Sequence, residues 1–544
     1  MVLEYENSVF EDYRIDIKAL QKIIKEIPNG KSRGFTEIQP EMYKYALNSE
    51  LLNTVSLIIE TMIKYGITPY LFNIGIIKPI IKDDKRDNGD INNLRPVTVS
   101  DTLANIYEKI ILTEIDKTHT NKDRQFGFKV NSSCGHAGLI VSEKIKLNNK
   151  KNKKTLICAI DASKAFDKVN RKYLWLKLKS KVKPCILKSL ISYYSDSMAI
   201  VQNDGENSNI FETSIGVKQG GPLSPRLFSM YVEDLIDEID NNGLGVKIEN
   251  IEINIIMYAD DILLVSSSYK NLQKLLKITE EYGKKWEIKF NPEKTLFMEF
   301  GNNHKNLKEK TVLKFDQKEI KKVDKMKYLG INYNRKLNNK DHMNKKRGET
   351  FNVINKMRDI GIESDILTSE MKIFLYKTYC RPTLYYGMDQ LVLTNQDLKD
   401  LQTTEANIVK RIFGLSQRVK TTELIYGIGL EKSTKKIEKM KIKFFERICK
   451  NEYTRNYLET LARYFRDNQK KINKNSILFE IKNILGSDQY LIERLLAKGP
   501  KKIRQINKET KLKKKEENVK KIEIILKKDG CIRTEELKAA LNAF

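Results

Sequence analysis

The segment Glu252–Ser268, EINIIMYADDILLVSSS, constrains the fold most, because it sets two adjacent carboxylates between two hydrophobic runs. Ile253, Ile255, Ile256, Met257 and Tyr258 read as one strand and Ile262, Leu263, Leu264 and Val265 as a second. Asp260 and Asp261 are therefore expected at the tight turn of a hairpin. Neighbouring carboxylates repel and are costly to bury. Such a turn is either a plain acidic surface loop or a place where cations sit, and the remainder of the chain decides between the two.

A chain of 544 residues, 40% hydrophobic, can bury several cores and suggests two to four domains. Lys and Arg number 99 against 71 Asp and Glu, a formal charge of +28 spread along the chain, which suits a polyanionic partner or reflects a Lys-, Asn- and Ile-rich composition. No run of eighteen uncharged apolar residues occurs, and the opening MVLEYENSVFEDYR is too acidic for a signal or transit peptide. The expectation is an intracellular protein of the nucleus or cytoplasm with no membrane partner. The cysteines, Cys134, Cys158, Cys185, Cys380, Cys449 and Cys531, are far apart and offer no paired spacing for a zinc site, so reduced thiols are expected.

Apolar spacing predicts helices over 14–26 and 40–65, joined by a basic glycine loop at Gly30–Gly34. IGIIKPIIKD (74–83) and LRPVTVS (94–100) read as strands joined like a hairpin, so that Lys78, Lys82 and Arg95 converge on phosphates, Arg95 with the fork geometry that bridges two oxygens. A helix over 101–117, the QFGF segment and a helix reaching about Leu147 precede KTLICAIDASKAFD. There Thr155–Ile160 form a strand with Asp161 at its end, a helix starts near Lys168, and Asp167 reads as structural. Gly216–Pro225 is a backbone-exposing loop feeding a helix, suited to close approach by a flat ligand such as a base pair. After the hairpin come a helix over 271–288, a turn at Asn291 and Pro292, a strand carrying Lys294, and the extended MKYLGINYN of 326–334. Beyond 342 the pattern is helical, and Lys501–Lys528, with twelve basic residues against four Glu, reads as a basic arm or a solvated tail.

This order brings Asp161, Asp260 and Asp261 into one cluster. Its repulsion calls for cations, and two Mg²⁺ ions, with Mn²⁺ as a substitute, would neutralise it. One would lower the pKa of a primer 3′-hydroxyl and the other hold a triphosphate, with Asp161 and Asp260 as ligands and Asp261 less direct.

AIDASKAFD (159–167), GVKQGGPLSP (216–225), YADD (258–261), NPEKT (291–295) and KYLG (327–330) resemble, in order and spacing, the palm motifs of reverse transcriptases. IGIIKPIIKDD, NLRPVTVS and QFGF are similar to finger segments of the non-LTR, LINE-type retrotransposon branch, and the resemblance covers roughly residues 18–345. It implies that Asp161, Asp260 and Asp261 are the catalytic carboxylates and metal ligands. Phe166 would be a steric gate against ribose 2′-hydroxyls, Arg95 and Lys82 would touch the triphosphate, and Gln219 with Gly220 the nascent base pair and template. Lys294 would sit near the leaving pyrophosphate, and Tyr328, Leu329 and Gly330 would form the primer grip. RPTLYYG and VKRIFG resemble, more loosely, the helical region after the thumb.

The fold class implied is α/β, a right-hand polymerase with fingers, a palm with an antiparallel sheet and a helical thumb, followed by an all-helical C-terminal extension. The divisions are fingers and N-terminal helices over 1–130, palm over 131–335, thumb and post-thumb over 336–430 and a basic helical region over 431–544. The activity implied is RNA-directed DNA synthesis from a 3′-hydroxyl, with an RNA template, a DNA primer or target DNA, and dNTPs as partners. Two departures stand out: SRGFTEI lacks the Pro-Asp of the first finger loop, and Lys218 replaces the usual Pro or Arg. No room for an apurinic-type endonuclease precedes residue 18 and no cysteine-histidine knuckle follows the thumb, so a separate endonuclease is the expected partner for target nicking. A group II intron reverse transcriptase and maturase, and a non-catalytic nucleic-acid-binding remnant, are the alternative readings. An RNA-dependent RNA polymerase fits less well with Phe166 and YADD.

Overall fold

Thr155–Ala162 is apolar at nearly every position, and in the computed structural model it runs down the middle of a five-stranded sheet ordered 321–322, 290–300, 155–162, 261–266, 255–258. The structure describes residues 9–83, 86–162, 165–301, 312–467 and 473–485. All pairings within this sheet are antiparallel except that of Phe290–Phe300 with Lys321–Lys322. Successive side chains leave opposite faces of a strand. Leu156, Cys158, Ile160, Ile262 and Leu264 therefore enter one core and Ile157, Leu263, Val265 and Ile256 another. A sheet covered on both faces needs near-continuous apolar strands, which is what these are.

The first core is roofed by helices from the N-terminal third and from 171–285. The second is closed by helix Cys134–Lys150 and by the far end of the chain, helices Ser433–Lys450, Glu452–Asp467 and Ile477–Leu485. A third core holds residues 354–437 together around helix Asn395–Ile412. There the buried Glu405 accepts from Arg381 Nε at 2.7 Å and from the Tyr376, Tyr385 and Ser433 hydroxyls.

A separate sheet pairs Leu94–Val99 antiparallel with Ile74–Ile81, and the latter runs parallel to Met198–Asn203. Ile80 lies opposite Arg95 and Lys78 opposite Val97, so Lys78 and Arg95 share one face, both exposed.

Several expected boundaries move. The single helix over 40–65 is two, Pro40–Tyr45 and Ser49–Tyr65, because the Asn48 side chain caps the second by accepting from Leu51 N–H at 2.8 Å. The helix expected near Lys168 begins at Arg171, capped by Asn170. The turn at Asn291 and Pro292 stays inside strand Phe290–Phe300 as a bulge: Asn291 pairs with Asp161 and pairing resumes at Leu296. The extended 326–334 is a hairpin, Lys325–Tyr328 with Ile331–Asn334, turning through left-handed Leu329 (φ 47°) and Gly330 (φ 80°). The basic stretch Lys501–Lys528 lies outside the described residues.

Candidate active site

Asp161 is the next-to-last residue of the central strand, and its register partner on the neighbouring strand is Asp261. Asp260 is on the two-residue turn that joins Tyr258 to Asp261, whereas Asp261, expected in the turn, is the first residue of its strand and pairs with both Tyr258 and Asp161. Ladder geometry alone thus sets two carboxylates side by side with a third at the hairpin tip. Burial raises the Asp260 carboxyl pKa, the Asp161 charge adds to it and Arg95 opposes it. Asp261 is open to solvent on one side, yet it is pushed up to about 6 by the surrounding protein and by the charges of Asp260 and Asp161.

The compensation nearby is slight. Lys294, held in the strand bulge, lies 3.4 Å from Asp161, with both side chains substantially exposed. Among the described residues no three or more His, Cys, Asp or Glu side chains close into a metal cage by themselves. An ion here would draw further ligands from water or phosphate, as Mg²⁺ does when it is bound by one or two carboxylates and substrate oxygens. The donor set, all hard carboxylate oxygen with excess negative charge, fits that ion.

The turn is held from below by a residue that motif reading leaves unassigned. Gln125 is fully buried, and its Oε1 accepts from Ala259 N–H and from Gly127 N–H, each at 2.9 Å. Phe126 N–H donates to Met257 C=O at 2.8 Å and Met257 N–H to Arg124 C=O at 2.9 Å. A Cβ on Gly127 would lie 2.4 Å from Ala259 N, so only glycine lets the QFGF loop reach the turn.

Around this centre the remaining expected residues divide. Phe166 stacks on Phe228, ring centroids 4.8 Å apart, and meets Phe128 edge-on at 6.4 Å, while Phe128 neighbours Tyr258 at 6.5 Å. Gln219 donates from Nε2 to Asp167 at 2.6 Å, and its C=O accepts from Thr98 N–H at 2.6 Å. A Cβ on Gly220 would lie 2.5 Å from Thr98 C=O, so the loop hugs the Arg95 strand. Lys82 is turned aside, its ammonium donating to Asn92 C=O at 3.1 Å. Tyr328 is buried, which leaves the Leu329–Gly330 turn as the part of that trio near the surface.

Three supports have roles that the motifs did not reveal. Lys218 points inward: its buried ammonium donates to Asn73 and to the Tyr193 hydroxyl, and burial lowers its pKa to about 8 against the pull of Glu108. Glu108, likewise buried, accepts from Tyr193 OH at 2.8 Å and Leu223 N–H at 3.1 Å, bracing both ends of the glycine loop. Tyr386 donates to Leu329 C=O at 3.3 Å, and a Cβ on Gly330 would lie 2.7 Å from its ring, so the helical region clasps the hairpin turn.

Residues 81–333 match the family model for reverse transcriptase (RNA-dependent DNA polymerase). The chain is 23% identical over 446 residues to the RNA-directed DNA polymerase from mobile element jockey of Drosophila melanogaster, covering 80% of this chain and 48% of that protein. It is 26% identical over 314 residues to the Retrovirus-related Pol polyprotein from type-2 retrotransposable element R2DM of the same species, 54% of this chain and 28% of the relative. To the polyprotein from type-1 retrotransposable element R2 of Popillia japonica it is 23% identical over 285 residues, 51% of this chain and 46% of the relative. The chain spans about half or less of the length of these curated relatives.

Proposed function

From the match of residues 81–333 to the reverse transcriptase family and the similarity to polymerases of non-LTR, LINE-type mobile elements, we propose that this chain is an RNA-directed DNA polymerase. It would extend a DNA primer or nicked target on an RNA template with dNTPs. The observation that carries the reading is the register pairing of Asp161 with Asp261 beside Asp260, three carboxylates whose pairing costs energy unless cations join them.

Asp161 and Asp260 would hold two Mg²⁺ ions, with Asp261 less direct. When bound, the ions supply the positive charge that lowers the pKa of a primer 3′-hydroxyl and steadies the departing pyrophosphate. Arg95, on the exposed face beside Asp260, binds the triphosphate in this reading. Lys82 serves there only if its ammonium leaves the Asn92 carbonyl. Lys294, next to Asp161, accompanies the leaving group, and Gln219 and Gly220 line the seat of the new base pair. Phe166, stiffened by Phe228, packs under the sugar and excludes a 2′-hydroxyl. The Leu329–Gly330 turn meets the primer, with Tyr328 as its buried anchor. The right-hand division follows: fingers over 1–130, palm over 131–335, thumb over 336–430 and a basic region beyond. Among the described residues no helix is long and apolar enough to cross a membrane. A separate endonuclease would open the target.

Primer extension on an RNA template with dNTPs and Mg²⁺ tests this. Asp260→Asn should cost at least about a hundredfold in rate while RNA binding persists. An unmodified protein that binds template and primer yet never extends, with Mg²⁺ or Mn²⁺, would overturn the proposal in favour of a binding remnant.

A further inference from the structure

Helix Cys134–Lys150 begins at the carboxylates, where the Cys134 thiol feels the Asp261 charge, and ends elsewhere. Twelve residues on, roughly 18 Å at 1.5 Å per residue, Lys146 and Asn149 line a groove of about 1230 Å³. Its other walls are the strand Ile331–Asn334, helix Lys340–Lys356, helix Asn395–Ile412 and residues 473–475. Pockets for small molecules hold about 300–1000 Å³, so this one has room for a stretch of polymer.

The lining has a definite chemistry. Lys336, Lys340, Arg347 and Lys474 border the groove and make no ion pair among the described residues. The two carboxylates present, Asp397 and Asp400, already accept hydrogen bonds, from Thr394 N–H and Asn339 and from Gln396 respectively. Between the charges stand amides, among them Asn149, Asn344, Gln390, Asn407 and Asn475. Gln390 is only 7% exposed and packs against Gly138 of helix Cys134–Lys150, whereas Asn344 and Asn475 are exposed to the groove.

We propose that this groove is a second nucleic-acid site, which holds a single-stranded segment of RNA outside the catalytic cleft. The unpaired cations match phosphates. The amides, which both donate and accept, match the free edges of unpaired bases, which a duplex hides. The exposed amides of Asn344 and Asn475 also match the 2′-hydroxyl, a donor and acceptor that RNA carries and DNA does not. The site does not depend on the polymerase reading, since it shares no residue with the carboxylate centre.

The test is equilibrium binding of the full chain to an unstructured 12-nucleotide RNA bearing 4-thiouridine, without dNTPs, followed by photocrosslinking and peptide mapping. The double variant K340E/R347E should weaken binding about twentyfold in 0.1 M salt and flatten the log–log salt slope by about 1.4, two contacts at about 0.7 each. Crosslinks should fall within 331–347 and 384–407. Extension of a short pre-annealed RNA–DNA hybrid should stay within about threefold of the unmodified rate, which separates this site from the catalytic one. Asn344→Leu should reduce the preference for RNA over DNA of the same sequence. Undiminished affinity in a folded K340E/R347E, or crosslinks confined to the neighbourhood of Asp161, Asp260 and Arg95, would overturn the proposal. Should the double variant not fold, Lys340→Gln with the same crosslink map decides it.

Discussion

Ala259 carries the strain of the catalytic hairpin, with a φ of 55° that a residue with a Cβ adopts at a cost. The Gln125 amide offsets it by binding the Ala259 N–H from the buried side. Gln125→Leu would leave that N–H and the Gly127 N–H buried without an acceptor, about 1–3 kcal/mol each. The turn should drift, and a shift of about 1 Å in a reacting group costs on the order of a hundredfold in rate. Pre-steady-state incorporation should show that loss in the chemical step, with little change in template affinity. Phe166 acts by shape alone. Phe166→Ala should admit ribonucleotides at least about tenfold better, read as the ratio of CTP to dCTP incorporation, and unchanged discrimination would remove the gate assignment.

Helix Cys134–Lys150 is tied to the C-terminal helices through His136, whose Nδ1 meets Ser133 Oγ at 2.8 Å and whose Nε2 donates to Arg447 C=O at 3.3 Å. Burial lowers its pKa from 6.5 to about 4. The unfolded chain therefore takes up a proton first. The stability due to the neutral ring is complete above pH 6.5 and is lost as pH falls toward 4, roughly 3 kcal/mol in all. Urea unfolding from pH 7.5 to 4 should show this slope, and His136→Asn should lack it. At this scale much was legible beforehand. Two short hydrophobic runs marked Ile255–Tyr258 and Ile262–Val265 as strands, and Asp161 at a strand end followed from the apolar run before it. What escaped was decided by single capping or turn residues. Asn48 breaks a helix whose apolar spacing runs on regardless, and Leu329–Gly330 folds back a stretch whose residues all favour extension. Lys294 arrives beside Asp161 through a bulge, and a bulge leaves no mark on periodicity. Lys218 was read as a departure from pattern, yet its partners Asn73, Glu108 and Tyr193 are supplied by three distant elements.

Across the whole molecule, the second face of the catalytic sheet is finished by the last described helices, an arrangement amphipathic spacing cannot foretell because it says that a face is covered and not by what. Phe444 is fully buried, meets His136 edge-on at 6.1 Å and would collide with a Cβ on Gly135. Phe444→Ala should cost about 3–5 kcal/mol, seen as a lowered denaturant midpoint, and should reduce extension although the residue is remote from the carboxylates. The same closure has a consequence in time. Contacts such as His136 with Arg447 and Ser476 with Glu143 join residues 311 and 333 positions apart. At about 5–20 residues per second of synthesis, the last long strand, ending at Phe300, emerges about 7 to 37 s before the helices between Ser433 and Leu485 that cover the sheet. During that interval the growing chain carries a sheet face covered only in part, by helix Cys134–Lys150, and its yield in the cell depends on what shields the rest until translation catches up.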